Sequence, residues 1–106
     1  MNEWEIWLAK VSFEDNPNVI KNRPVLILQN NTAIFISAKI TSHAPRNDFP
    51  GEYKIIEWET AGLKKESTIR LSKLLPLQKQ DFIHKLGKLQ ALDQFNVQRL
   101  LKQLYS

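Results

Sequence analysis

KNRPVLILQNNTAIFISAKITSH, residues 21–43, encodes two strands joined by a polar turn. Val25 to Leu28 is an unbroken apolar run, the pattern of a strand covered on both faces. Asn30 and Asn31 supply the turn, and a strictly alternating run follows. Ile34, Ile36, Ala38 and Ile40 point one way, and Phe35, Ser37, Lys39 and Thr41 the other, because strand side chains have period two. Arg23 enters the first strand, held extended by Pro24. Lys39, Thr41 and His43 leave the second on one face. Cationic and hydroxyl groups at the ends of an apolar platform suit an anion site better than a bare scaffold.

The chain around this platform is 106 residues long, enough for one real core and not for two. Its 42% hydrophobic, 25% charged composition, with only 3 glycines, is that of a globular domain rather than a disordered segment. No apolar run reaches bilayer length and no cleavable leader pattern appears, so a cytoplasmic protein with no membrane partner is expected. The absence of cysteine removes disulfides, zinc thiolates and thiol nucleophiles. The net charge of +4 is uneven. Lys64, Lys65, Arg70, Lys73, Lys79, Lys85 and Lys88 face only Glu66 and Asp81 in that quarter of the chain, which invites an anionic partner, nucleic acid or an acidic protein segment. A solvated lysine-rich surface reads equally well from charge alone.

Upstream, Trp4, Ile6 and Leu8 alternate with Glu5, Trp7 and Ala9, and Val11 and Phe13 extend a strand with apolar residues on both faces. Asn16-Pro17-Asn18 turns the loop that follows. Downstream, the loop 44–52 holds Pro45, Arg46, Asp48, Pro50 and Gly51 and is placed to act as a flap beside Thr41 and His43. Tyr53 to Trp58 reads as a short strand broken at Thr60-Ala61-Gly62-Leu63. Ser67 to Leu71 resumes it, with Ile69 and Leu71 inward and Thr68, Arg70 and Ser72 outward. Leu74, Leu75 and Leu77 make a further short strand around Pro76. Phe82, Ile83 and Leu86 then have helical spacing up to Gly87. Val97, Leu100, Leu101 and Leu104 form the apolar stripe of a terminal helix, which Leu92 and Phe95 extend. The sum is a mainly β protein, a small barrel or curled sheet closed by a terminal α-helix, in one domain.

Most standard chemical motifs are missing: no glycine-rich phosphate loop, no HExxH, no carboxylates at metal spacing. Neither a cofactor nor a metal is expected. His84, on the short helix, reads as a surface residue, whereas His43 follows Thr41-Ser42 directly and is the proton-transfer candidate. Arg23 has Glu14 and Asp15 as possible structural partners, and Arg70 has Glu66. Taken together with Lys39 and Thr41 at neighbouring strand ends, the two arginines look more like a site. RNA cleavage without a metal needs little more: the 2′-OH attacks the adjacent phosphate, and fixed guanidinium forks stabilise the growing negative charge. Trp4, Trp7 and Trp58 read as core or interface residues, with base stacking the lesser reading.

In order, EIWLAKVSF, NRPVLILQNN, AKITSH, AGLKKESTIRLSKLLPL and KLGKL resemble the MazF/PemK family of toxin endoribonucleases over nearly the whole chain. The resemblance implies an SH3-like barrel of the MazF/PemK/CcdB type, with a short helix and a C-terminal amphipathic helix. It further implies a homodimer, cleavage of single-stranded RNA to a 2′,3′-cyclic phosphate, and neutralisation by a cognate acidic antitoxin. The arginine of the family's Arg-Pro motif maps to Arg23 and the threonine of Ile-Thr-Ser to Thr41, the usual catalytic pair. Arg70 matches a third catalytic arginine of the PemK-like branch, but Ser72 stands where that branch has an acid, which raises His43. Around these four, Lys21, Lys39, Ser42, Arg46, Thr68 and Ser72 are expected to contact RNA. The alternatives are a non-catalytic toxin of the gyrase-binding CcdB type, whose Trp-Gly-Ile ending is replaced here by Leu104-Tyr105-Ser106, or a relative that binds RNA or antitoxin without cutting.

Overall fold

The computed structural model describes residues 1–12, 16–45 and 50–105. Six strands form one antiparallel sheet: β1 Glu5–Ser12, β2 Ile20–Asn31, β3 Ile34–Thr41, β4 Glu52–Lys54, β5 Thr68–Leu77 and β6 Phe82–Lys88. Their spatial order is β4-β5-β3-β2-β1-β6, and a single helix, α1 Ala91–Tyr105, follows. The fold is thus the small β barrel closed by a terminal helix that the patterning predicts. The platform sits at its centre: β2 pairs with β1 on one side and β3 on the other. Val25, Leu26, Ile27 and Leu28 are all buried, as a strand with both faces covered requires. The main core gathers Ile6, Leu26, Ala38, Ile40, Ile69 and Leu71 under the helix. On the sheet's other face Ala9, Val11, Val25 and Leu77 pack with Trp7 and Phe82, whose rings meet edge to face at 6.0 Å.

The sheet curls shut where two glycines let backbones touch. A Cβ on Gly87 would lie 1.9 Å from the Ala61 carbonyl oxygen, and one on Gly62, at φ +98°, would lie 2.1 Å from that of Leu86. Only glycine allows the 58–63 turn to close on β6 there. The helix suits its sequence, free of Gly and Pro and rich in Leu and Gln. Val97, Leu100, Leu101 and Leu104 pack on the core as predicted. No helix is long and apolar enough to cross a membrane among the described residues.

Several local expectations change. The turn lies at Thr32-Ala33, two residues past Asn30-Asn31, because the Asn30 side chain accepts the Thr32 N–H and Thr32 takes the left-handed φ of +66°. Trp4, also left-handed, precedes β1 rather than joining it, and Lys21 to Pro24 lie inside β2. β4 is only three residues long, and the segment from Thr68 to Leu77 is one continuous strand. Phe82 to Gly87 is not a helix but strand β6, preceded by a 3-10 turn at Lys79–Asp81. Its pairing with β1 shifts register twice; Phe82 packs with Ala9 and Val25, Leu86 against the main core, and Ile83 is exposed, so the three share no buried face. Leu92 and Phe95, at 47% and 58% exposure, do not extend the apolar stripe. At about 100° per residue they fall on the side of the helix opposite Val97. Phe95 lies instead under the Arg99 guanidinium, 5.8 Å from the ring centroid. The loop 44–52 read as a flap falls in part outside the described residues, as do Phe13, Glu14 and Asp15, whereas the turn at Asn16-Pro17-Asn18 is formed, the Val19 N–H donating to the Asn16 carbonyl at 2.9 Å.

Candidate active site

Strand register assembles the site. Val25 pairs with Lys39, and carrying that register two residues outward sets Arg23 across from Thr41. Thr41 in turn pairs with Thr68, and Arg70 with Glu52 on the edge strand β4. Residues directly opposed across antiparallel strands share a face and stand about 5 Å apart at Cβ. Between these pairs β5 bulges. Ile40 meets Ile69 and Ala38 meets Leu74, so Lys39 alone on β3 stands against Arg70 to Lys73. The bulge turns Arg70 towards β4, where the Leu71 N–H donates to the Gly51 carbonyl at 2.8 Å. Gly51, at φ +90°, lies so close to Ser72 and Leu104 that any Cβ would clash.

Arg23, Lys39, Thr41, Ser42, His43 and Arg70 all line one cavity of about 620 Å³. The four residues expected to be catalytic, spread over forty-eight positions of chain (23 to 70), are thus gathered by three strands, β2, β3 and β5, and the bend that follows β3. The remaining expected RNA contacts divide. Lys21 and Ser72 are exposed but do not line the cavity, Ser72 because the bulge carries it away. Thr68 shares the face of its opposite number Thr41 but is buried there, and its hydroxyl donates to the His43 carbonyl oxygen at 2.5 Å, tying the end of β3 to β5. Arg46 lies outside the described residues.

The cavity also contains groups that the sequence reading set aside. His84, placed on a helix by its spacing, lies on β6 and lines the far wall, and Lys64 and Lys65 reach it from the loop before β5. Glu52 enters from β4, its carboxylate 3.5 Å from Arg70 Nε. This pair replaces the Arg70–Glu66 partnership; Glu66 lies 4.0 Å from Lys54 instead. The basic quarter of the chain therefore borrows its carboxylates from elsewhere, since Lys85 likewise pairs with Glu5 at 3.3 Å. Burial pushes the Glu5 carboxyl up, but hydrogen bonds from Trp7, the Asn2 backbone and Lys85 outweigh it and hold the group below its ordinary value. Among the described residues no three His, Asp or Glu side chains cluster as metal ligands would.

Behind β4 a buried network fixes the strand. The Tyr53 hydroxyl donates to Asp93 Oδ1 at 2.6 Å and accepts from Asn96 at 3.0 Å. Burial, with the Asp93 carboxylate added to it, pushes the Tyr53 hydroxyl up to about 12. The neutral phenol is favoured by folding, so its contribution is complete below the unfolded tyrosine value near 10 and is lost as pH rises through about 12. Urea midpoints measured from pH 9 to pH 12 are expected to show the parent's advantage over Tyr53→Phe shrinking across that window. An advantage that stays constant would mean that the phenol is not held this way.

A six-stranded curled sheet with a cationic cavity at its strand ends, backed by one helix, defines a small β barrel. The chain matches the family described as PemK-like, MazF-like toxin of type II toxin-antitoxin system over residues 2–105, and it belongs to that family. Its fold is similar to that of Mycobacterium tuberculosis toxin MazF-mt6, with 19% identity, a TM-score of 0.73 and 95% of each chain covered. It is similar also to an endoribonuclease in complex with its cognate antitoxin from a mycobacterial species, at 14% identity and TM-score 0.77, covering 98% of this chain and 93% of that one. A further Mycobacterium tuberculosis toxin superposes with a TM-score of 0.65 at 18% identity, over 78% of this chain and 92% of the other. No match was found among curated proteins.

Proposed function

We propose that the chain is the toxin of a type II toxin-antitoxin system and acts as a metal-independent endoribonuclease on single-stranded RNA. The observation that carries this reading is the convergence of Arg23, Thr41 and Arg70 on one cavity with His43 at its rim. In the reaction the ribose 2′-oxygen attacks the adjacent phosphorus and the P–O5′ bond breaks, leaving a 2′,3′-cyclic phosphate and a 5′-hydroxyl. Arg23 and Arg70 hold the phosphoryl oxygens and stabilise the charge that accumulates there. Thr41 orients the same group by hydrogen bonding, His43 takes the proton from the 2′-OH, and a water molecule from solvent protonates the departing 5′-oxygen. Lys39, Ser42, Lys64 and Lys65 line the path of the flanking strand.

The same reading gives the protein an acidic antitoxin as its partner, drawn to the basic cavity, and assembly as a homodimer. Support for the dimer is the apolar area left open by Leu92, Phe95 and Ile56, the last held beside the helix through its N–H bond to Asp93. Purified protein incubated with long single-stranded RNA in EDTA is expected to yield fragments ending in 2′,3′-cyclic phosphate and 5′-hydroxyl. RNA that stays intact with and without divalent cations would end the nuclease reading.

A further inference from the structure

We propose that Glu52 is the positioning residue for Arg70, an inference that rests on the nuclease reading above. A carboxylate is out of place in a cavity meant for phosphate, since it repels the ligand, unless a cation consumes its charge. Glu52 meets that condition. Its side chain is 4% exposed, that of Arg70 is 16% exposed, and Oε2 lies 3.5 Å from Nε. A nearly buried carboxylate persists only when paired. The two residues are also opposed in strand register, so both backbones dictate the approach.

The mounting is rigid on both sides of Glu52. Gly51 accepts the Leu71 N–H, and Tyr53 is anchored to Asp93 through its hydroxyl. A three-residue edge strand would otherwise fray; here its central task is to hold one carboxylate at a fixed place. Arginine presents a planar fork with five donors. Nε is buried 3.5 Å from the carboxylate without a hydrogen bond to it, so Glu52 holds the guanidinium by charge and by register, and the terminal nitrogens are the ones that meet a phosphoryl oxygen in the cavity. Glu52 thereby converts a flexible side chain into an oriented one, and acts on the substrate only through Arg70.

The test is a double-variant cycle on RNA cleavage, with an independent measurement of the arginine. Glu52→Gln keeps the shape and removes the charge, and the melting temperature of each variant is measured beside its kinetics so that turnover is compared on folded protein. Its kcat is expected to fall about 10- to 30-fold with KM changed less than about twofold, with the pH profile unchanged in shape, and with no further loss when it is added to Arg70→Ala. Equal activity to the parent, losses that multiply in the double variant, or disappearance of the acidic limb of the profile would each overturn the assignment. In the ¹⁵N spectrum the Arg70 Nε–H signal of the parent is expected to report a rigid side chain, and its heteronuclear NOE to fall by at least about half in Glu52→Gln. An unchanged signal overturns the positioning role even if no RNA is cut; a changed signal in a protein that cuts nothing sustains the ion pair and locates the failure in the nuclease reading.

Discussion

Arg23→Ala is expected to lower cleavage of single-stranded RNA in EDTA by a factor of about 100 to 1,000, the usual cost of losing a preorganised donor to the transition-state charge. The fold is expected to survive intact. Arg23 is exposed on β2, and exposed substitutions away from caps and buried partners change stability by less than about 0.5 kcal/mol. Arg23→Lys separates charge from shape. It keeps the cation but loses the planar fork, so a residual loss of about tenfold is expected if bidentate geometry matters. Circular dichroism and the melting temperature serve as controls on the same samples. An Arg23→Ala protein that cuts RNA as well as the parent would remove Arg23 from the chemistry, whatever its place in the cavity.

Strand patterning made the centre of this molecule legible and its edges obscure. The apolar run at Val25–Leu28 and the alternation from Ile34 to Thr41 carried β2 and β3, because side-chain period survives wherever a strand pairs regularly. It fails where pairing is irregular. Beside the two register shifts between β1 and β6, Phe82 and Leu86 serve different clusters and Ile83 is exposed, so their helical spacing marks no common face, and reading it as a helix hid His84 from the cavity. Arg23, Thr41, His43 and Arg70 were legible as a group because each stands at a strand end or beside a change of chemistry. Glu52 was not. Its partner is eighteen positions away, on the other side of a turn whose path no local signal announces, and β4 is too short to show a period. Asp93 was hidden differently. Four residues before Val97 it falls on the buried side of the helix, where an acid is read as an ordinary first-turn residue until the donors facing it are known.

Those donors make Asp93 the structural counterpart of Arg23. Its carboxylate is wholly buried, and accepts the Tyr53 hydroxyl at 2.6 Å and the N–H groups of Ile56 and Glu57, both at 2.9 Å. Asp93→Ala strands three donors, two of them backbone, at about 1–3 kcal/mol for each buried group left unsatisfied, with partial relaxation keeping the sum below simple addition. A loss of about 3–5 kcal/mol is expected in urea unfolding, one of the largest costs any single substitution can impose on a chain of this size. Asp93→Asn should fall between. The amide oxygen can still serve Tyr53 and Ile56, but its NH₂ then meets the Glu57 N–H donor to donor, for a cost of about 1–2 kcal/mol. The pattern across the two sites discriminates scaffold from chemistry. Arg23→Ala loses turnover and keeps its melting temperature, whereas Asp93→Ala loses stability while its folded fraction, well below the melting point, retains most of the turnover. If Asp93→Ala instead leaves stability within about 1 kcal/mol of the parent, the 55–57 turn is held by something other than this carboxylate, and the rigid mounting argued for β4 fails with it.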